Sequence, residues 1–254
     1  MLPSEPYAAR PDHFSAEQWR ARVDLAACYR LAARRGWSDL VYTHISLRLP
    51  GRDDAFLINA FGQTFDEITA SSLLTIDFDG KVIDDSARVA NPSGFAIHGA
   101  VHRARSDAHC VIHLHTDAGI AVSALRDGLL PLSQHAMRFW SDIAYHDYQG
   151  LAFDAKEQAR LVAELAHHRA MMLRNHGTLT CGRTVAEAFV LMDTLEKACR
   201  IQLTAMAAGP VALPPDEVLD LSHAQLTADP EPEGALEWPA LLRGLMRTEP
   251  DFAR

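Results

Sequence analysis

The segment Val111-Ile112-His113-Leu114-His115-Thr116 constrains this chain most. Its apolar and β-branched residues favour a strand, whose side chains alternate faces with a period of two. His113 and His115 therefore project from one face, one pleat apart, while Ile112 and Leu114 pack behind them. Two imidazoles held this way can share one divalent ion through neutral nitrogens. A site needs a third ligand. His176, in Met171-Met172-Leu173-Arg174-Asn175-His176-Gly177, ends another apolar run where a strand meets a glycine turn. A close pair of ligands with a distant third is a common layout for a catalytic ion that keeps one position open. His-x-His also arises by chance in a chain with 13 histidines among 254 residues. Spacing alone therefore leaves a second reading open, that of two structural histidines.

The length suits one large domain or two small ones, with ample material for a core. Hydrophobic residues at 48% and charged residues at 22% are those of an ordinary soluble globular protein. A net charge of -9 without a long basic run argues against a nucleic-acid surface or an anionic-membrane patch. Cys28, Cys110, Cys181 and Cys199 are scattered and lack Cys-x-x-Cys spacing. They read as buried thiols of a reducing compartment rather than a disulfide framework or a zinc ribbon. The opening residues Met1 to Pro6 lack a basic region followed by an apolar stretch, so no signal peptide is expected. No apolar run reaches bilayer-spanning length. The expectation is a cytoplasmic protein with neither nucleic-acid nor membrane partners.

Residues 1–14 read as an irregular lead-in. Ser15-Ala16-Glu17-Gln18 fits a capping box, followed at helical spacing by Trp19, Val23, Ala26, Ala27 and Leu31, with Gly36 as the stop. From Val41 to Leu49 the chain alternates, with Tyr42, His44, Ser46 and Arg48 sharing one face. Short strands at 55–59 and 74–77 extend an antiparallel meander, and Asp79-Gly80 turns the latter toward Lys81-Val82-Ile83. A turn at Asn91 to Gly94 leads into a helix from Phe95 to about Arg105, and the His-x-His strand follows. Next come a helix over 117–125, a short strand with Tyr145 and His146, a helix over 154–168, the strand carrying His176, and its hairpin partner Thr178 to Cys181. Thr184-Val185-Ala186-Glu187 is a second capping box, opening a long helix that ends at Gly209-Pro210. Residues 15–209 thus read as one domain. Residues 210–254 read as a proline- and acid-rich tail with one amphipathic helix at about 236–246, a clasp on its own domain or on a neighbouring subunit.

Five segments together resemble the class II aldolase and adducin family. They are Tyr42 to Arg48, Leu57 to Gly62, Asn91 to His98, Val111 to Thr116 and Leu173 to Gly177. They occur in the family's order and span roughly residues 15 to 208. The resemblance implies an α/β fold of three layers, α/β/α, around a mixed and largely antiparallel sheet. It also implies homotetramers or other homo-oligomers, with active sites near subunit boundaries. It implies that His113, His115 and His176 hold one divalent ion per subunit, zinc first, with manganese, iron or cobalt as alternatives. In the family's aldolases that ion stabilises an enediolate as a carbon–carbon bond breaks.

Three departures from the aldolase pattern bear on the substrate. The aldolases' acid/base carboxylate, four positions before the residue that is His98 here, is replaced by Gly94, which cannot move a proton. Their glycine-asparagine phosphate turn is Thr43-His44, and the small residue of their second phosphate loop is Phe61. The phosphate nest is thereby dismantled, and an aromatic or carboxylated substrate is expected in place of a sugar phosphate. The same substitutions bring the chain closer to adducin heads and their bacterial relatives.

The leading expectation is a metal-dependent lyase acting by retro-aldol cleavage or decarboxylation on a small carbonyl or hydroxy-aromatic compound. His44, His135 and Tyr145 are the candidates for returning a proton to carbon. His98 and Asn175 support the ligands, and Asn59, Phe61, Gly62, Ser93 and Gly94 surround the substrate. His102, His109, His146, His167 and His168 read as surface or packing residues. The alternative is an adducin-head-like oligomeric scaffold with a retained, non-catalytic ion. A cytoskeletal role draws little support, because adducin heads continue into a neck and basic tail whereas this chain ends near its core.

Overall fold

The computed structural model describes residues 10–84, 86–150, 155–228 and 231–254, apart from the side chains of Pro92 and Ser93. Its strands are β1 (His44–Arg48), β2 (Ala55–Ile58), β3 (Leu74–Asp77), β4 (Cys110–Leu114), β5 (Ala144–His146), β6 (Ala170–Leu173) and β7 (Gly177–Gly182). They form one sheet in the order β3-β2-β1-β4-β7-β6-β5. Neighbours run antiparallel except β5 with β6, so the sheet is mixed and largely antiparallel as expected.

The helices are α1 (Ala16–Arg34), α2 (Pro92–Ala104), α3 (Asp117–Ser123), α4 (Gln134–Met137), α5 (Ala155–Leu165), α6 (Val185–Ala208), α7 (Asp216–Thr227) and α8 (Glu237–Thr248). Period-two alternation decides which layer each strand residue joins. Ile45, Leu47, Ile112 and Leu114 enter a core with Leu25 and Tyr29 of α1, Phe189 of α6 and Leu245 of α8. On the opposite face Val111, Met171, Leu173 and Leu179 pack on Ile97 and Val101 of α2 and on Leu161 and Leu165 of α5. Each such fully buried aliphatic side chain contributes about 1.5–3 kcal/mol of burial. The result is the three-layer α/β/α arrangement. His44, Ser46 and His113 lie on the face that meets α2, because they alternate with the residues of the first core.

The capping box at Ser15 forms in full: its hydroxyl accepts from the Gln18 amide at 3.1 Å, and its own amide donates to Gln18 Oε1 at 3.3 Å. The second box forms only by half. Thr184 Oγ1 accepts from the Glu187 amide at 3.1 Å, but the Glu187 carboxylate accepts from the Arg183 amide and pairs with Arg169. Asp79-Gly80 turns the chain back on β3 as expected, and residues 81–83 pair with it through one antiparallel bridge, Ile76 to Val82, flanked by Asp77 N donating to Lys81 O at 3.0 Å and Ile83 N donating to Thr75 O at 2.9 Å. The Asp77 carboxylate accepts from the Asp79 and Lys81 amides, which curls this stretch into a turn. The helix expected from Phe95 begins at Pro92, a residue suited to the first helical position. The expected start of the 154–168 helix at Asp154 lies outside the described residues.

The tail holds two helices rather than one. α8 docks Trp238, Leu242 and Leu245 into the first core, and Trp238 Nε1 donates to Asp24 at 3.1 Å. Beyond it, Glu249 and Asp251 pair with Arg30 of α1. α7 escaped detection because it buries only Leu219, while Val218 and Leu221 stay 46% and 58% exposed. Such a helix leaves no amphipathic signature to read. Among the described residues, no helix is long and apolar enough to cross a membrane.

Candidate metal centre

Three loops and strands bring His113, His115 and His176 together. His113 stands in the centre of the sheet, opposite His44 of β1 and Leu179 of β7. His115 follows one residue beyond the end of β4, and Thr116 then caps α3 by accepting the Gly119 amide at 3.1 Å. His176 closes a three-residue connection between β6 and β7, whose flanking residues Leu173 and Gly177 pair directly. Asn175 takes the left-handed conformation there (φ 57°), which asparagine tolerates better than most residues. Gly177 is required by space, since a Cβ at this position would run into the Leu114 carbonyl oxygen. The Asn-His-Gly sequence is thus the local device that delivers the third imidazole.

The ring centroids lie 4.9 Å apart for His113 and His115, and 4.8 Å apart for each of these with His176. Hydrogen bonds fix which nitrogens are free. His113 Nδ1 donates to the Thr178 carbonyl at 3.0 Å, and His115 Nδ1 donates to Asp39 Oδ2 at 2.9 Å. Both Nε2 atoms are therefore bare in the neutral rings, and they stand 3.1 Å apart. Two lone pairs so close repel unless a positive charge lies between them. Burial holds the His113 imidazole well below its ordinary pKa, with His176 and His115 adding to the effect, so its Nε2 is an acceptor in this pair. Burial and then His115 push the His176 pKa down to about 4. A divalent ion answers the geometry, since nitrogens that ligate one zinc at about 2.0–2.1 Å stand roughly 3 Å or a little more from each other. The donor set fits the group.

These imidazoles line a cavity of about 380 Å³, shared with Asp39, Tyr42, His44, Gly94, His146 and Arg174. Thr43 also lines it, holding a left-handed backbone (φ 62°) that β-branched residues rarely adopt. Its Oγ1 is buried without a partner among the described residues. Such strain persists only where the surroundings impose it, and it clusters at functional sites.

The other expected site residues divide sharply. His44 and Gly94 line the cavity. His135 is exposed at the surface on α4. Tyr145 faces away: its hydroxyl accepts from the Leu129 amide at 3.1 Å, and its ring lies 4.4 Å beneath the Arg174 guanidinium. Neither lines the cavity. Asn59 is buried outside the cavity, accepting from the Tyr29 hydroxyl at 2.8 Å. Phe61 and Gly62 also lie outside the lining, with Phe61 43% exposed. The side chain of Ser93 is outside the described residues.

His146, read from sequence as a surface or packing residue, is a buried wall of the cavity. Its Nδ1 lies 2.6 Å from Glu164 Oε2 and its Nε2 lies 2.9 Å from Glu157 Oε1. Asp39 and His146 were missed because their partners are remote in the chain. One signal was present for His146, namely that Tyr145 and His146 alternate on a strand, so that only one of them can face the site.

The family model for the Class II Aldolase and Adducin N-terminal domain matches residues 23–203. A Caulobacter vibrioides protein provisionally named as a class 2 aldolase is 49% identical over 94% of each chain. Alpha-adducin from Mus musculus is 42% identical over 74% of this chain, which spans 26% of adducin's length. The solved L-fuculose 1-phosphate aldolase from Glaciozyma antarctica PI12 superposes with a TM-score of 0.82 at 28% identity, covering 96% of this chain and 97% of that one.

Proposed function

This chain belongs to the class II aldolase and adducin family, and from that premise we propose that it is a divalent-metal-dependent lyase of small, non-phosphorylated carbonyl or hydroxy-aromatic compounds. The reaction is retro-aldol cleavage or decarboxylation. The observation that carries this reading is the pair of bare Nε2 atoms on His113 and His115, 3.1 Å apart, closed by His176 at the wall of the cavity. An ion held there, zinc before manganese, iron or cobalt, supplies Lewis-acid stabilisation of negative charge developing on a substrate oxygen.

The remaining work falls to the chain. Asp39 and the Thr178 carbonyl hold the outer nitrogens of His115 and His113, so both rings keep one tautomer and one orientation. His44 is the one expected proton carrier that lines the cavity. It takes a proton from a substrate hydroxyl in aldol cleavage, and in decarboxylation it passes the proton taken from such a hydroxyl to the carbon that has lost carbon dioxide. Thr43 and His44 occupy the turn where the aldolases hold phosphate, which disfavours a sugar phosphate. We place the protein in the cytoplasm as a homotetramer or other homo-oligomer.

A second reading, a non-catalytic adducin-head-like scaffold, draws on the adducin identity and on Gly94, which carries no acid/base group. A panel of 2-keto-4-hydroxy acids and hydroxy-aromatic carboxylates, assayed with and without chelator alongside metal analysis, separates the two. Chelator-sensitive product release supports the lyase. A fully loaded protein with no turnover across the panel supports the scaffold.

A further inference from the structure

Two adjacent imidazoles and a carboxylate converge where the chain enters the edge strand β5 and its neighbour β6, outside the lining of the cavity. Asp142 stands two residues before Ala144, the first residue of β5, and His168 two residues before Ala170, the first of β6. The two strands run parallel with Ala144 opposite Met171, so their lead-ins lie side by side. His168 Nδ1 lies 3.0 Å from Asp142 Oδ1. The His167 and His168 rings stand with centroids 4.3 Å apart at 32°. One donor atom from each of the three residues lies within 4.8 Å of the other two.

Adjacent side chains do not ordinarily meet like this. Successive residues point to opposite faces of a strand, and along a helix they do not face each other. Here α5 has just ended. Ala166 takes a left-handed backbone (φ 46°), and the His168 amide donates to the Leu165 carbonyl at 2.9 Å. Arg105 Nη1 holds the turn by donating to the carbonyls of Ala166 and His168. A second left-handed residue, Ser141 (φ 53°), presents Asp142, whose amide donates to the Phe139 carbonyl at 3.1 Å. Burial does not account for the convergence, since His167 is exposed and its two partners are only half-buried. A hydrogen bond between Asp142 and His168 accounts for two of the three groups and gives the His167 ring no role.

The surroundings suit a cation. Arg138 and Arg169 share a shallow cleft with Asp142, and both are paired with other carboxylates: Arg138 with Glu233, and Arg169 with Glu187 and Glu233. Two imidazole nitrogens and one carboxylate oxygen are a zinc-type donor set. The 3.0 Å between His168 Nδ1 and Asp142 Oδ1 already matches two donors bound to one zinc at about 2.0–2.2 Å. The exposed His167 ring reaches the same separation by swinging in no more than about 1.5 Å.

We propose that Asp142, His167 and His168 form a second divalent-cation site, zinc first, which ties the start of β5 to the start of β6. It shares no residue with the cavity and does not depend on the proposed lyase reaction. β5 is the edge of the sheet and pairs only with β6, and it carries His146 into the cavity wall. An ion here must order an exposed side chain and leaves its remaining positions to solvent, so the site fills after the buried centre.

Equilibrium dialysis of the metal-free full chain against rising concentrations of zinc chloride, with metal analysis at each step, tests it. The wild type is expected to take two zinc ions per subunit. His167→Ala should lose the weaker one, His113→Ala the tighter one, and the double variant both. Loss of an exposed ring leaves the fold intact, so His167→Ala is a fair test. Zinc-soaked crystals of His113→Ala should show an anomalous scattering peak between Asp142, His167 and His168. A second ion that survives both His167→Ala and Asp142→Ala belongs to other surface histidines and overturns the inference. So does a wild type that never takes up a second ion and loses none in His167→Ala. A single ion kept in His113→Ala and lost in His167→Ala would uphold this site and refute the centre in the cavity, so the two readings fail separately.

Discussion

Gly94→Ala tests the packing around His44 through the sign of a stability change. Gly94 lies buried in the first turn of α2, and a methyl group there would sit 2.5 Å from Cε1 and 2.7 Å from Cγ of the imidazole. That is about 1 Å inside the 3.5–4.0 Å separation of carbon atoms in contact. The ring has little freedom to retreat, because His44 is only 3% exposed and its backbone is in register with His113. Overpacking of this kind costs about 1–3 kcal/mol. Against it stands the helix preference for alanine over glycine, up to about 1 kcal/mol. The net expectation is a loss of about 0–3 kcal/mol.

In a His44→Ala background the collision vanishes, and Gly94→Ala becomes stabilising by up to about 1 kcal/mol. The coupling energy of the double-mutant cycle is therefore about 1–3 kcal/mol, well above the roughly 0.3–0.5 kcal/mol scatter of independent sites. Urea unfolding of the four proteins measures it, with equal m-values confirming that each exposes the same surface. If Gly94→Ala stabilises both backgrounds equally, the ring does not occupy this space and the argument about residue 94 fails.

Three further outcomes follow from the site. Chelation of a protein held at about 1,000 times the dissociation constant of its metal should remove about 4 kcal/mol of stability; His113→Ala should abolish the difference, and a wild-type melting curve indifferent to chelator would remove the metal reading. Asp39→Ala should weaken metal binding about 10–100-fold in a chelator competition while Asp39→Asn, which keeps an acceptor for His115 Nδ1, recovers most of it; equal losses in both variants would show that charge rather than ring orientation matters. For His102 the folded pKa of about 3 lies below the ordinary 6.5, so between those values the unfolded chain binds more protons. Its stabilising effect is complete above the unfolded value and is lost as pH falls toward 3, with a slope of up to about 1.4 kcal/mol per pH unit from this one ring. His102→Gln should flatten that acid limb in unfolding curves, and an unaltered slope would mean that the ring is already protonated in the fold.

Much of the architecture was legible because one-dimensional periodicity reports burial. The alternation through His44 to Arg48, the capping box at Ser15 and the apolar run before His176 each depend on neighbours within a few residues. The same logic put His113 and His115 on one face with Ile112 and Leu114 behind them. It failed where the deciding contact is remote. Asp39 reaches His115 across 76 positions, and nothing near Asp39 in the chain announces it. Tyr145 and His135 were chosen by their place in the sequence, yet the β5 pleat turns Tyr145 away and α4 leaves His135 in solvent. His146, one residue further along the same strand, faces the cavity instead.

By itself the sequence determined the local conformations and the identity of the three imidazoles, since strand pleat, helix caps and the glycine after His176 act over short range. Only the tertiary structure decided that these imidazoles meet with two nitrogens 3.1 Å apart and that Gly94 makes room for His44. The reason is physical. Tautomer, desolvation and steric exclusion are properties of what surrounds a side chain, and those surroundings come from strands and helices distant in the chain.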